Sequence, residues 1–352
     1  MAKVVIVGAG MMGSALAVPL VDAGHDVQLV GTHLDGEIVA SLKASHVHPK
    51  LGVERPHAIT TYAATEIGAA IRGAEMIALG VSSAGVRWAG GKIAPYVRQD
   101  VPIVMITKGL EYNGRNLAIM PDVLSGCLPE AVRGAVSPVA VAGPCIAGEI
   151  ARRVESCVVL TGRDPAVLDR VRGLMRTPYY HVWTSTDVVG VEACAALKNA
   201  YAMGVGFAMG IHERMGGEPG SVAMHNYEAA VFAQSVLEMR RIAVAMGGDP
   251  ESVIGLPGVG DLDVTCSGGR TGRFGRWIGL GVGIEEAVRR MEGATLECLE
   301  ILRVLRSALP FLEKRGLTLS RDLPLLDHLF SVALDGSPVK MPFERFFAPE
   351  AK

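Results

Sequence analysis

Residues 3–17 read KVVIVGAGMMGSALA, and this stretch decides how the first half of the chain folds. The valine- and isoleucine-rich run at 3–7 predicts a buried strand, and the apolar residues after the glycines predict a helix. The pattern G-x-G-x-x-G lies between them, on Gly8, Gly10 and Gly13. Such glycines permit a tight turn, close approach of a pyrophosphate to the backbone, and close helix–strand packing. The stretch predicts a dinucleotide-binding turn with Met11 and Met12 at the helix N-terminus, against the alternative of an ordinary strand-to-helix turn.

The same alternation of short apolar runs and helical segments continues to about residue 187. Runs rich in valine and isoleucine fit buried parallel strands, and helix-like stretches such as 64–72 lie between them. The further predicted strands are 27–30, 75–81, 102–107, 138–142, 156–161 and 179–183. This order predicts an α/β, Rossmann-type, doubly wound N-terminal domain over residues 1–187.

The strand signals stop after about Thr186, and helical patterns replace them. The predicted helices are 188–210, 225–247, 284–293, 295–315 and 323–335, and glycine-rich loops are predicted at 216–220 and 255–272. A mainly α-helical C-terminal domain over residues 188–352 is therefore expected, with the boundary near 185–190.

Composition limits the class of protein. A chain of 352 residues favours two domains, and a hydrophobic fraction of 49% argues against disorder. The net charge of −2, without a basic tail or stripe, gives no sign of a nucleic-acid partner. Six cysteines without CxxC spacing predict reduced thiols and a cytoplasmic location. A strand that begins by Lys3 leaves no room for a signal sequence.

The residue pattern argues against a membrane span and against a metal site. Segment 191–211 is long enough to be tested as a membrane span, but Lys198, Asn199 and its glycines argue against lipid exposure. His46 and His48 are the only closely spaced histidines, and no acidic or cysteine partner accompanies them at ligand spacing. We therefore expect neither a membrane span nor a metal site.

The end of the second strand bears on the choice of dinucleotide. The acidic residue that usually binds the ribose there is missing, because the chain continues Gly31-Thr32-His33-Leu34 and Asp35 comes late. Thr32 and His33 could lie beside the adenosine ribose instead. No arginine or lysine follows directly to bind a 2′-phosphate, which favours NAD and leaves NADP open. Ser82, after a later strand, is either a cofactor contact or a simple helix cap.

A lysine in an apolar helix is the strongest catalytic candidate. Segment 191–211 reads VEACAALKNAYAMGVGFAMGI, and Lys198 is its only basic residue. Burying an ammonium group costs several kcal/mol unless the group is paired or used. The alternative, a structural pair with Glu192, would be poor within the helix because the two residues share no face. An amine at this place can give or take the proton when a ketone and an alcohol interconvert.

Other candidate groups follow strands or lie in the glycine-rich segment. Lys108 follows the strand 102–107 and could polarise a substrate oxygen, although a solvated loop lysine is the commoner case. Cys145 follows the turn Gly143-Pro144 and has no evident partner base, which favours a structural or substrate-contacting thiol. The segment 258–275 carries Asp261, Thr265, Arg270 and Arg273, and its glycines and arginine fork suit a phosphate. The alternative interpretation of segment 258–275 is a long flexible surface loop.

These motifs carry a family likeness. The matching words are GAGMMGSALA (8–17), TKGLE (107–111), VAGPCIAGEIA (141–151), EACAALKNAYAMGVG (192–206) and GDLDVTCSGGRTGRFG (260–275). In their order and spacing the chain resembles the NAD(P)-dependent glycerol-3-phosphate dehydrogenases over nearly its whole length. GTHLD (31–35) and HPKLG (48–52) resemble the archaeal branch of that family.

The resemblance implies a reversible reaction between sn-glycerol 3-phosphate and dihydroxyacetone phosphate with NAD, or with NADP, and a homodimer. It implies that Lys198 is the general acid/base and that Lys108 steadies the substrate oxygen. Its remaining implied roles are orientation by Asn199, Asp261 and Thr265; substrate binding by Gly143, Cys145, Gly269, Arg270 and Thr271; and cofactor contact by Ala147, Arg270 and Glu297.

The chain departs from the family pattern at three positions. Thr271 stands where the family usually has asparagine, Cys145 where it often has serine, and Cys298 where it usually has glycine. Two alternatives therefore stay open. One is a dehydrogenase of the same fold that acts on another polyol phosphate or a hydroxy acid. The other is a non-catalytic nucleotide-sensing protein.

Overall fold

The computed structural model describes residues 1–219, 223–293 and 295–347. The chain divides into two units, each formed by two segments. The N-terminal unit comprises Met1–Lys108 and Ile119–Val188, and the C-terminal unit comprises Gly109–Ala118 and Val189–Lys352.

Strands form the centre of the N-terminal unit. The strands of the chain are β1 (Lys3–Val7), β2 (Asp26–Val30), β3 (Thr60–Tyr62), β4 (Met76–Leu79), β5 (Ile103–Met105), β6 (Leu110–Tyr112), β7 (Leu117–Ile119), β8 (Val139–Ala142), β9 (Ser156–Thr161) and β10 (Tyr180–Ser185). The helices of this unit are α1 (Met11–Asp22), α2 (Gly36–Ser45), α3 (Ile67–Ile71), α4 (Val86–Ile93), α5 (Met120–Cys127), α6 (Glu130–Arg133), α7 (Ala147–Ala151) and α8 (Pro165–Met175).

One eight-stranded sheet has the order β10-β9-β8-β5-β4-β1-β2-β3. The strands from β3 to β8 in this order run parallel, β9 is antiparallel to β8, and β10 is parallel to β9. The predicted α/β Rossmann-type fold is confirmed. Because six neighbouring strands are parallel, their carboxyl ends meet at one edge, where the order reverses beside β1 and ligands bind in such sheets.

The sequence patterns missed three strands, β3, β6 and β7, which have three residues each. The equally short β5 was predicted because it lies within the apolar run 102–107. β6 and β7 pair in a separate two-stranded sheet. Most residues of the apolar runs that were predicted as strands are buried, as Val4, Ile6 and Leu79 illustrate, whereas Trp183 near the end of the last run is exposed.

The C-terminal unit is mainly helical, as predicted. Its helices are α9 (Val188–Arg214), α10 (His225–Met246), α11 (Glu251–Ile254), α12 (Asp261–Gly268), α13 (Arg270–Gly279), α14 (Ile284–Arg290), α15 (Glu297–Ser307), α16 (Leu309–Lys314), α17 (Leu319–Asp322) and α18 (Pro324–Ala333). The single helix predicted at 295–315 is divided, because Pro310 starts a new helix at α16. Among the described residues, no helix combines the length and apolar character that a bilayer crossing requires.

The loop predicted at 255–272 was wrong, because this segment is helical. It forms a π-helical turn at Leu256–Gly260, then α12 and the start of α13. Its glycines lie against α9: a Cβ on Gly275 would come within 2.2 Å of the Met203 carbonyl oxygen. Glycines spaced three or four residues apart form one helix face, and here they let two helix backbones approach closely. The other predicted loop, 216–220, ends at Gly220, which lies outside the described residues.

A buried carboxylate ties three helices of this unit together. Glu238 on α10 accepts hydrogen bonds from the Tyr201 hydroxyl of α9 at 3.1 Å and from the backbone N–H groups of Leu325 and Leu326 at 2.7 and 2.9 Å. The last two are donors of the first turn of α18, which favours negative charge. Burial outweighs these bonds and raises the pKa of Glu238 to about 7.

We predict that Glu238→Gln removes part of the pH dependence of stability. Between the ordinary pKa of 4.5 and about 7, the folded protein keeps the Glu238 proton while the unfolded chain releases it. The free energy of unfolding of the wild type should therefore fall with rising pH in this window, by up to about 3 kcal/mol. Urea titrations from pH 4.5 to 7.5 measure this slope, which should flatten in Glu238→Gln.

The exposed Glu313 on α16 provides the matched control. Glu313→Gln should leave the slope of the wild type unchanged. A Glu238→Gln protein with the wild-type slope would contradict the assignment of the titration to this buried carboxyl.

Candidate active site

The glycine-rich loop between β1 and α1 has the geometry that a dinucleotide needs. Gly8 has φ +113, which other residues rarely adopt, and a Cβ on Gly13 would lie 2.0 Å from the Gly8 carbonyl oxygen. A Cβ on Gly10 would meet no atom within 4 Å, so the protein itself gives no steric reason for a glycine there. The N-terminus of α1 also lacks a side-chain cap. Its open space and free N–H donors fit a pyrophosphate.

Asp35 is bonded to the backbone around this loop. One of its carboxylate oxygens accepts the N–H of Ala9 at 3.1 Å and the N–H of Thr32 at 2.8 Å. The Thr32 hydroxyl accepts the N–H of Leu34 at 3.2 Å. His33 stacks edge-on against Trp88, with ring centroids 5.3 Å apart. Asp35 thus joins the end of β2 to the glycine-rich loop, a role that its late position in the sequence did not suggest.

Other predicted contacts lie at the carboxyl edge of the same sheet. Lys108, after β5, donates a hydrogen bond to the Gly143 carbonyl after β8 at 3.3 Å. Gly143 has φ +114, so the turn there requires glycine. Ser82 is exposed after β4 and caps no helix with its side chain, which leaves its hydroxyl available at this edge. Ala147 begins the short helix α7.

The Cys145 thiol has a buried partner that sequence reasoning missed. Complete burial raises the pKa of Tyr180, on β10, and an interaction between its hydroxyl and the Cys145 thiol raises it further. A buried phenol usually has a hydrogen-bond partner, and Cys145 is the partner found here. This interaction supports the structural alternative for Cys145.

The lysine of the apolar helix is paired in the C-terminal unit. Lys198 Nζ on α9 donates to Asp261 Oδ1 at the start of α12, and the two residues are only 6% and 1% exposed. The Thr265 hydroxyl donates to the Asp261 carbonyl at 2.6 Å, one helical turn further along α12. Asn199 is buried beside Lys198 on α9. The structure thus brings Lys198, Asp261 and Thr265 together, as the family likeness implied.

The first turns of α13 and α15 also meet through predicted residues. Arg270 and Glu297 form an ion pair at 3.7 Å, and each side chain is about one-third exposed. Directly beside them, the buried Thr271 hydroxyl hydrogen-bonds the buried Cys298 thiol. Two of the three departures from the family pattern are therefore in contact with each other.

The parallel sheet with its glycine-rich turn and the helical unit with its buried lysine–aspartate pair define a class of protein, the dinucleotide-dependent dehydrogenases. No group of three or more His, Cys, Asp or Glu side chains in the described parts of the chain could hold a metal ion.

Comparison with known proteins assigns the family. The N-terminal model of the NAD-dependent glycerol-3-phosphate dehydrogenases matches residues 3–167, and the C-terminal model matches residues 187–344. The chain is 33% identical over 335 residues to the NADP(+)-dependent glycerol-3-phosphate dehydrogenase of Archaeoglobus fulgidus, covering 95% of this chain and 96% of that protein. It is 31% identical over 337 residues to the glycerol-3-phosphate dehydrogenase [NAD(P)+] of Myxococcus xanthus, covering 95% and 93%.

A solved structure agrees with these relatives. The crystal structure of glycerol-3-phosphate dehydrogenase from Coxiella burnetii superimposes with a TM-score of 0.82 at 25% identity, covering 96% of each chain. The chain belongs to the NAD-dependent glycerol-3-phosphate dehydrogenase family.

Proposed function

We propose that this protein catalyses the reversible oxidation of sn-glycerol 3-phosphate to dihydroxyacetone phosphate with NAD or NADP, and that Lys198 is its general acid/base. The family membership supports the reaction. The observation that carries the role of Lys198 is its buried pairing with Asp261 inside an otherwise apolar helix. A buried charge that stability alone would not favour is typical of a functional site.

Proton transfer is the part of the chemistry that these residues supply. A nicotinamide dinucleotide, when bound, would supply the acceptor for the hydride that leaves C2 of the substrate. The hydroxyl proton of C2 passes to the neutral Lys198 amine as the carbonyl forms, and the adjacent Asp261 carboxylate stabilises the resulting ammonium. In the reverse direction, the Lys198 ammonium donates the proton to the oxygen of dihydroxyacetone phosphate. By the family likeness, Lys108 would steady a substrate oxygen.

The substrate phosphate needs a cation that is accessible, and Arg270 fits this requirement. Its guanidinium lies at the first turn of α13, about one-third exposed, where backbone N–H groups add positive potential. Its pairing with Glu297 at 3.7 Å is too long and too exposed to be strong. A dianionic phosphate would therefore compete well with the Glu297 carboxylate for Arg270.

The proposal includes both NAD and NADP as cofactors. The Archaeoglobus relative is named as NADP(+)-dependent and the Myxococcus relative as NAD(P)+-dependent. Asp35 already accepts two backbone N–H groups through one oxygen, which weakens it as the ribose-binding acid of an NAD-selective site. This supports the use of NADP beside NAD. The cytoplasmic location and the homodimer stay predictions.

We predict that Lys198→Met lowers kcat by about a thousandfold or more, because the proton then has no acceptor. The dissociation constant for NADH should stay within about twofold of the wild type, since the dinucleotide loop is intact. Stopped-flow oxidation of NADH by dihydroxyacetone phosphate and fluorescence titration measure the two quantities.

Loss of Lys198 also leaves Asp261 buried without this cation, which is expected to destabilise the protein. The double variant Lys198→Met/Asp261→Asn separates the two effects: the melting temperature should recover, and the activity should not. The exposed Lys314→Met on α16 is the control. A Lys198→Met enzyme with wild-type kcat would refute the acid/base role, and a wild-type protein that binds NADH without any turnover would favour the nucleotide-sensing alternative.

We predict that Arg270→Ala raises KM for dihydroxyacetone phosphate by about a hundredfold, and that Arg270→Lys has an intermediate effect because it keeps the charge but loses the fork. Inorganic phosphate should compete with substrate in the wild type and not in Arg270→Ala. Arg303→Ala, at an exposed arginine on α15, is the control. Equal KM values in Arg270→Ala and wild type would favour a substrate without phosphate, such as a hydroxy acid.

A further inference from the structure

We propose that His48 is a positioning residue for the dinucleotide: together with Asp35 it fixes the two peptide groups on either side of Ala9, and so sets the shape of the glycine-rich loop. The inference rests on the proposed binding of the dinucleotide at residues 8–13. His48 lies in the connection from α2 to β3, 39 residues after Ala9 in the sequence.

The imidazole of His48 uses both of its nitrogens. It is 1% exposed, its Nε2 lies 3.2 Å from the Ala9 carbonyl oxygen, and its Nδ1 accepts the N–H groups of Lys50 and Leu51, each at 3.2 Å. Because Nδ1 accepts, the ring must be neutral with its hydrogen on Nε2, and Nε2 must donate to Ala9. Burial lowers the pKa of His48, which agrees with the neutral form.

Asp35 holds the other side of Ala9. Its carboxylate accepts the Ala9 N–H at 3.1 Å, while the Ala9 carbonyl accepts both His48 and the Ser14 hydroxyl, the latter at 2.9 Å. A peptide group is planar and trans, so its C=O and N–H point in opposite directions. A fixed Ala9 carbonyl therefore also fixes the direction of the Gly10 N–H, and a fixed Ala9 N–H does the same for the Gly8 carbonyl.

This restraint matters because the loop is otherwise free to change shape. Glycine populates more backbone conformations than any other residue, and the loop carries Gly8, Gly10 and Gly13. A peptide flip at Ala9–Gly10 would turn a carbonyl oxygen toward the place where an anion is expected and an N–H away from it. Restraint in the free protein lowers the entropy that binding must remove, so it raises affinity without a contact to the ligand.

The connection that carries His48 is itself ordered by backbone bonds. Val47 and Glu54 form a β-bridge, and the N–H of Gly52 donates to the His48 carbonyl at 2.9 Å. A folded connection of this length usually has a function. Holding the imidazole against the glycine-rich loop is a function that its geometry can perform.

The test compares two substitutions that each keep one nitrogen of His48. In His48→Asn the side-chain oxygen can still accept the N–H groups of the turn, but no donor reaches Ala9. In His48→Gln the amide nitrogen can reach the Ala9 carbonyl, but the acceptor for the turn is lost. Fluorescence titration with NADH and with NADPH gives the dissociation constants, and thermal melts confirm that each variant is folded.

We expect His48→Asn to weaken both dinucleotides by about five- to tenfold, the value of one hydrogen bond, and His48→Gln to stay within about twofold of the wild type. KM for dihydroxyacetone phosphate at saturating dinucleotide should not change in either variant. Asp35→Asn, which takes the charge from the acceptor of the Ala9 N–H, should weaken both dinucleotides by about threefold. The exposed His57→Asn in the same connection should have no effect.

Equal weakening by His48→Asn and His48→Gln would indicate a merely structural residue and overturn the proposal, as would wild-type affinity in a folded His48→Asn or Asp35→Asn. Gly10→Val tests the underlying site separately, because its side chain would fill the space beside Gly10. Unchanged affinity in Gly10→Val would refute dinucleotide binding at the loop. Weak binding in Gly10→Val with wild-type affinity in His48→Asn would overturn only the role of His48.

Discussion

The buried pair of Lys198 and Asp261 is the interaction on which the account of this protein depends. An ammonium and a carboxylate in an apolar interior gain less from each other than they lose in hydration, so such a pair is seldom kept for stability. The pair joins α9 to α12, and further along the chain α13 packs closely against α9. Glycines on α9 and α13 permit that approach, because a Cβ on Gly210 or Gly279 would collide with a backbone carbonyl at 2.0 or 2.2 Å.

Glycine thus has two separate uses in this chain. In the N-terminal unit, Gly8 and Gly13 let a helix start against a strand, and Gly10 leaves space for a ligand. In the C-terminal unit, glycines at helical spacing bring two helix axes together. The first use is recognisable because the motif follows a strand. The second use was not predicted. Segment 255–272 was expected to be a loop, because a high glycine content normally predicts irregular structure.

Local patterns predicted most of the architecture. The strand–loop–helix unit at the N-terminus, the change from strands to helices after about Thr186, and the long helix around Lys198 all depend on residues close in sequence. The three-residue strand β3 was missed because its sequence, TTY, contains no apolar run that would indicate a strand. The division of segment 295–315 depends on one proline.

Contacts between distant residues were beyond sequence reasoning. Lys198 pairs with Asp261, which comes 63 residues later in the chain. His48 hydrogen-bonds Ala9, which comes 39 residues earlier. His48 looked like a loop residue because no neighbour in sequence explained it. Tyr180 and Cys145 likewise interact, although they lie in separate parts of the sequence. The residues of the candidate site were identified by motif, whereas the groups that hold them in place became visible only in three dimensions.

Chemical rescue of Lys198→Ala by small primary amines tests the central claim most directly, because it returns the missing amine without the side chain. If Lys198 exchanges the proton of the substrate hydroxyl, added methylamine or ethylamine should restore NADH oxidation by dihydroxyacetone phosphate, and the restored rate should follow the basicity of the amine. A variant that binds both NADH and substrate but gains no activity at any amine concentration would contradict the account.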